Sequence, residues 1–177
     1  MSTPTLANAD TALRKRAANI RLAVFDVDGV LTDGRFLLDA NGNELKSFNT
    51  QDGFGLRQLI TSDIAVAIIT GRSSGAVTHR TAELGIEHVF QGCRHKRETI
   101  DNLIESLALD ESAVAAVGDD IPDLHMFAAA QGLRIAVANA VEPVKQAADV
   151  QTERSGGGGA VREIADFLLA CRGTHQP

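Results

Sequence analysis

Short apolar runs rich in β-branched residues recur along this chain and alternate with stretches of helical period. Residues 20–27 (IRLAVFDV) form the first run and end in acidic and glycine residues. That is the pattern of a buried strand running into a loop. Residues 65–69 (AVAII), 113–117 (AVAAV) and 135–137 repeat it. Three of these runs end at polar or charged groups: Asp26 and Asp28, Thr70 and Arg72, Asp119 and Asp120. Between them, helices are expected over 53–61, 73–84, 96–107 and 121–130. Serines suited to an N-cap open the second, Ile100, Leu103, Ile104 and Leu107 recur at helical spacing in the third, and Pro122 sits in the first turn of the fourth. Buried strands alternating with helices predict an α/β fold, a mostly parallel sheet covered by helices on both faces. In such sheets ligands bind beyond the carboxyl ends of the strands, where the polar residues fall.

Two segments depart from the alternation. Residues 36–48 (FLLDANGNELKSF) place Asn41-Gly42 between two candidate strands, which predicts a β-hairpin over the strand ends. Residues 155–159 (SGGGG) read as a linker or turn-rich loop before an amphipathic helix over 160–170. Length supports one domain, taken as 20–170, between an N-terminal segment 1–19 and a C-terminal tail 171–177.

Charge and composition narrow the class. A net charge of -6 and the absence of Tyr and Trp disfavour a nucleic-acid or anionic-membrane surface. Cys93 and Cys171 have no zinc spacing, so two reduced thiols are expected and a metal site must be built from oxygens. Residues 1–19 carry Arg14, Lys15 and Arg16 without an apolar core behind them, and no run is long enough to span a bilayer. The expectation is a cytoplasmic protein without nucleic-acid or membrane partners.

The strongest chemical signal is 26–33, DVDGVLTD. In extended backbone, positions i and i+2 point to one side, so Asp26 and Asp28 can enter one site. Carboxylates this close repel, and a bound cation relieves the repulsion. Gly29 removes a side chain where a substrate would need close approach to the backbone.

DxDGVLTDG resembles the first motif of the haloacid dehalogenase superfamily of phosphohydrolases. Thr70 in IITGR, Lys96 after a strand and loop, and Gly118-Asp119-Asp120-Ile121-Pro122-Asp123 resemble the later motifs in order. From about residue 20 to 169 the chain is similar to the 3-deoxy-D-manno-octulosonate 8-phosphate phosphatase family, on GNELKSFNTQDGFGLR, LGIEHVFQG and RSGGGGAVREIADFLL as well. The resemblance implies a Rossmann-like fold with no cap domain, a homotetramer, and hydrolysis of a phosphorylated sugar acid in lipopolysaccharide precursor synthesis. The gaps from Asp28 to Thr70 and from Thr70 to Lys96 leave no room for a separate lid.

On this resemblance Asp26 is the nucleophile and Asp28 the general acid, then the general base. Magnesium takes the Asp26 side chain, the Asp28 backbone carbonyl and the Asp119 side chain. Asp120 and Asp123 either hold metal-bound waters or orient neighbours, and Asp123 alternatively caps the helix that starts there. Thr70 donates to a phosphoryl oxygen, and Lys96 neutralises the transferring group and fixes Asp26. His95 stands before Lys96 where the family often has an acidic or amide residue. The resemblance places the sugar acid, with Asp28 and Lys96, at Asn49, Thr50, Gln51, Asp52 and Gly53 and at Arg57, Arg72 and Arg80. It also implies that 154–159 and the following helix reach across a subunit interface. The rival readings are a phosphatase for a related nine-carbon sugar acid phosphate and, in a different class, a receiver-type phosphoacceptor domain.

Overall fold

Strand β1 (Leu22–Phe25) lies at the centre of the molecule, with all four side chains buried. A strand buried on both faces needs a cover on each side, and a parallel sheet with crossover helices supplies it. The computed structural model describes residues 3–174. The first two positions of the N-terminal segment and the last three of the C-terminal tail lie outside the described residues. The other strands are β2 (Leu37–Leu38), β3 (Glu44–Leu45), β4 (Ala65–Ile69), β5 (His88–Phe90), β6 (Val114–Gly118), β7 (Leu133–Ala136) and β8 (Val150–Gln151). Six of them form one sheet in the order β5-β4-β1-β6-β7-β8, and every pairing in it is parallel. Leu22 aligns with Ala65 on one side and Val114 on the other. The residues after Phe25, Ile69 and Gly118 therefore leave the sheet along one edge.

The helices are α1 (Thr11–Ala18), α2 (Thr50–Thr61), α3 (Gly75–Leu84), α4 (Lys96–Ser106), α5 (Leu124–Ala129), α6 (Glu142–Ala147) and α7 (Ala160–Arg172). Helix α7 packs against α1 and α2, and α4 packs against α5. The apolar stripe of α7, with Val161, Ile164, Ala165 and Leu168, is wholly buried. Each large aliphatic or aromatic side chain buried this way contributes roughly 1.5–3 kcal/mol.

Several boundaries differ from the expected ones. Helix α2 begins at Thr50, not at residue 53, because the Asn49 side chain accepts from Gln51 N at 2.8 Å and Asp52 N at 3.4 Å. The run 121–130 divides into a 3-10 turn at Ile121–Asp123 and the short helix α5. Helix α7 continues two residues past 170. The segment before β1 is folded onto the domain: Asp10 caps α1, Leu6, Ala9 and Ala17 are buried, and Thr5 bridges to Gln151 at the sheet edge. The hairpin β2-β3 is present, with Leu37 opposite Leu45. Its loop spans 39–43 and is closed by Asp39, whose Oδ1 accepts from Asn41 N and Asn43 N at 2.8 Å each. Among the described residues no separate lid domain interrupts the sheet, and both cysteines are free.

Asp149 ties three parts of the chain together. Its carboxylate accepts from the Arg16 guanidinium at 3.0 Å and from Arg134 at 2.8 and 3.0 Å. Burial alone would raise its pKa, but hydrogen bonds from Arg134 and Arg16 outweigh that and hold it at about 2, against an ordinary 3.8. A depressed carboxylate stabilises the fold above its unfolded value, and the contribution disappears as pH falls through the folded one. Asp149→Asn should therefore cost about 2 kcal/mol at pH 7, and the gap to the unmodified protein should narrow below about pH 4. Urea titrations at several pH values measure this, and a gap that stays constant down to pH 2 would remove the ion-pair explanation.

Candidate active site

Asp26 leaves β1 directly, held by its own N–H on Val117 O at 3.2 Å. The chain then turns instead of continuing extended: Val27 O accepts from the N–H groups of Leu31 at 2.9 Å and Thr32 at 3.0 Å. Asp26 and Asp28 nonetheless line one cavity of about 460 Å³, together with Thr70, Lys96 and Asp119. The turn depends on Gly29, whose φ is +97°. A Cβ there would strike the Asp119 carboxylate. The close approach that excludes a side chain at Gly29 is thus made by Asp119 rather than by a substrate.

Lys96, the first residue of α4, is buried and donates to Asp26 Oδ1 at 2.6 Å and to Asp123 Oδ1 at 2.7 Å. The other oxygen of Asp123 accepts from Asp119 N at 2.9 Å and Asp120 N at 3.2 Å. Asp120 and Asp123 form a capping box on the 3-10 turn. Burial and then the charge of Asp123 push Asp26 up to about 6. Burial, Asp123 and Asp26 push Asp119 up to about 7. Burial by itself would lower Lys96, but the Asp26 and Asp123 carboxylates hold it above its ordinary value.

These features test whether the site fits a cation. Oxygen atoms of Asp26, Asp119 and Asp123 lie within 4.8 Å of one another. Asp119 Oδ1 is buried and has no hydrogen-bond partner. Both oxygens of Asp123 already accept from the protein, so Asp26 and Asp119 are the side chains with capacity to spare. An all-oxygen set that is destabilised as carboxylates without a counter-charge suits a hard divalent cation such as magnesium.

Asp28 faces the hairpin. Lys46, just past β3, donates to Asp28 Oδ1 and pairs with Glu44. The other Glu44 oxygen accepts from Arg72 Nη2 at 3.0 Å. The Arg72 guanidinium lies 4.2 Å from the Phe36 ring centroid, and its Nε lies 3.9 Å from Asp28 Oδ2. Lys46 was missed in the sequence, although the alternation there held a signal. Glu44 and Lys46 share one side of the strand, toward the acids, while Leu45 is exposed on the other.

The residues that the resemblance gave to the sugar acid divide. Arg72 lines the cavity, whereas Asn49, Thr50, Gln51, Asp52, Gly53, Arg57 and Arg80 do not. Asp52 is buried and accepts from Arg162 N at 2.8 Å and Gly159 N at 3.3 Å. Asn49 caps α2 and donates to Gly157 O at 3.3 Å. Arg80 lies against Gly53 and pairs with Glu83, and Arg57 is exposed on α2.

The segment 155–159 is not a free linker: it packs on the loop that follows Asp26 in its own chain. Gly157 N donates to Val30 O at 3.1 Å, and a Cβ at Gly156 would strike the Gly29 carbonyl. Asn139, also missed in the sequence, clamps the two loops. Its Nδ2 donates to Gly29 O at 2.9 Å, and its Oδ1 accepts from Gly156 N at 2.6 Å. A second cavity of similar volume, lined by Arg21, Ile64 and Leu107, opens at the amino ends of the strands, away from these acids.

A parallel sheet with aspartates after β1 and β6, Thr70 after β4 and Lys96 opening α4 defines a hydrolase of the haloacid dehalogenase type. The haloacid dehalogenase-like hydrolase family model matches residues 88–164, which include Lys96 and Asp119. The 3-deoxy-D-manno-octulosonate 8-phosphate phosphatase of Escherichia coli K12 is 48% identical over 158 residues, 89% of this chain and 84% of that protein. A crystal structure of the phosphatase of that name from Yersinia pestis superposes with a TM-score of 0.91 at 43% identity, covering 94% of this chain and 89% of the other. The phosphatase of that name from Moraxella catarrhalis, solved with magnesium, phosphate and the sugar acid, gives 0.90 at 40% identity and covers 93% and 94%. The chain belongs to the 3-deoxy-D-manno-octulosonate 8-phosphate phosphatase family.

Proposed function

We propose that this protein hydrolyses 3-deoxy-D-manno-octulosonate 8-phosphate to the free sugar acid and orthophosphate, with magnesium, through a phosphoryl group carried on Asp26. The observation that carries the reading is the Lys96 ammonium bonded to Asp26 beside the orphaned Asp119 oxygen. Asp26 and Asp119 would hold magnesium, which when bound would supply positive charge against the phosphoryl oxygens. Asp26 attacks phosphorus in line. Asp28, fixed by Lys46, gives a proton to the leaving alkoxide and then takes one from the water that cleaves the aspartyl-phosphate. Thr70 and Lys96 bind phosphoryl oxygens, while Asp123 holds Lys96 and the turn carrying Asp119 in place.

A receiver-type phosphoacceptor is set aside, since relatives at 46–48% identity are phosphatases. The pathway role, lipopolysaccharide precursor synthesis in the cytoplasm, follows from the same substrate. No helix among the described residues is long and apolar enough to cross a membrane. A homotetramer belongs to the reading as well. Phe36, Leu37, Leu38 and Leu45 are each exposed on the hairpin, Leu37 opposite Leu45, and exposed apolar surface of this kind favours association.

Phosphate release from a panel of substrates tests this. The octulosonate phosphate should exceed neutral sugar phosphates in kcat/KM by about 100-fold or more, and chelation should abolish turnover of all of them. A higher kcat/KM for a nine-carbon sugar acid phosphate would transfer the assignment to that substrate.

A further inference from the structure

The catalytic cavity is lined by three side chains that are always or nearly always cationic, and they are not equivalent. Lys96 is shared between Asp26 and Asp123. Arg72 is held by Glu44 and stacked on Phe36. Arg94 lines the same cavity, is exposed, and has no carboxylate within ion-pair distance among the described residues. It is the uncommitted cation of a cavity that also holds five aspartates, Asp26, Asp28, Asp119, Asp120 and Asp123.

Its place in the chain sets what it can reach. Arg94 sits on the loop between β5 and α4, two residues before Lys96. The neighbouring Cys93 N–H donates to Thr70 O at 3.0 Å, which ties this loop to the end of β4. Arg94 therefore rises from the wall that carries Thr70 and Lys96, whereas Arg72 rises beside Asp28 and the hairpin. We infer that Arg94 binds the phosphoryl group of the incoming monoester and the product orthophosphate, and so sets their affinity rather than the chemical step. A guanidinium presents two parallel N–H groups to phosphate oxygens, a geometry that an ammonium lacks. An anion entering this acid-lined cavity gains most from the one cation that has no partner to give up. The inference rests on the phosphatase reading but not on the identity of the sugar.

The test uses the magnesium-loaded protein, orthophosphate as inhibitor, and two substrates, the octulosonate phosphate and a small aryl phosphate. Arg94→Ala should raise the orthophosphate inhibition constant and both KM values about 10-fold, the size of one charge-assisted hydrogen bond, with kcat changed less than about 2-fold. Arg94→Lys should recover part of the loss. Arg97→Ala is the control: Arg97 is exposed as the second residue of α4 and pairs with Asp101 at 3.5 Å, so it removes the same charge outside the catalytic cavity. Unchanged constants for Arg94→Ala overturn the inference. So does an equal rise for Arg97→Ala, which would make the effect one of net charge, or a fall in kcat at constant KM. If the unmodified protein instead prefers another phosphate ester, the substrate assignment fails, while the orthophosphate and aryl phosphate measurements still decide the role of Arg94.

Discussion

Asp26→Asn is expected to lower phosphate release by at least about 10⁴-fold while leaving the fold unchanged. The amide keeps the size of the side chain, and its carbonyl oxygen can still accept from Lys96, which lies 2.6 Å from Asp26 Oδ1. Packing around β1 is untouched, because Asp26 stands outside the apolar core that Val24 and Phe25 build. What disappears is the nucleophile, since an amide oxygen does not displace an alkoxide from phosphorus. Rapid acid quenching with mass spectrometry should find a phosphoryl adduct on the Asp26 peptide in the unmodified protein and none in the variant. Near-normal turnover by the variant, with a wild-type circular dichroism spectrum, would move the nucleophile elsewhere.

Lys96→Met should reduce kcat/KM by at least about 10³-fold and, unlike Asp26→Asn, should also cost roughly 3–5 kcal/mol of stability in the metal-free protein. Lys96 is the one cation buried among Asp26, Asp119 and Asp123, and removing it leaves their charges facing one another at short range. The pKa of Lys96 is raised by Asp26 and Asp123 against the opposing effect of burial. Its contribution is thus fully present below an unfolded value near 10.5 and is lost as pH rises through the higher folded value. Added magnesium should restore part of the stability, because it supplies charge to Asp26 and Asp119. Thermal melts with and without magnesium measure both effects. A variant that melts with the wild-type protein would show that the carboxylates are relieved by something other than Lys96.

What was legible in the sequence was the part whose signal is local. The run AVAII is β4 residue for residue, and the acids after β1 and β6 mark the working edge of the sheet because strand ends coincide with changes from apolar to charged residues. The short elements β8 and α6 gave no periodic signal, being two and six residues long. Lys46 and Asn139 escaped for a different reason: each is an ordinary polar residue until the fold brings a distant partner to it. Asn139 meets Gly29 across 110 residues, and no local pattern records that. The set from Asn49 to Gly53 already has partners within its own chain. Side chains assigned to a substrate by resemblance are, within this chain, the cap of α2 and the acceptor for the start of α7.

The clamp of 155–159 on the nucleophile loop has a consequence for synthesis. A chain made from its amino end folds vectorially, and the strands carrying Asp26, Thr70 and Asp119 emerge well before this segment and α7. Until these arrive, Gly29 lacks its neighbour at Gly156, Asp52 lacks the N–H groups of Gly159 and Arg162, and α2 lacks its covering helix. Chains interrupted before residue 155 therefore hold every catalytic side chain in sequence but not the backing that fixes the nucleophile in space. A fixed nucleophile loop therefore has to wait until this segment and α7 have been made, and a fragment released before them should turn over phosphate esters poorly.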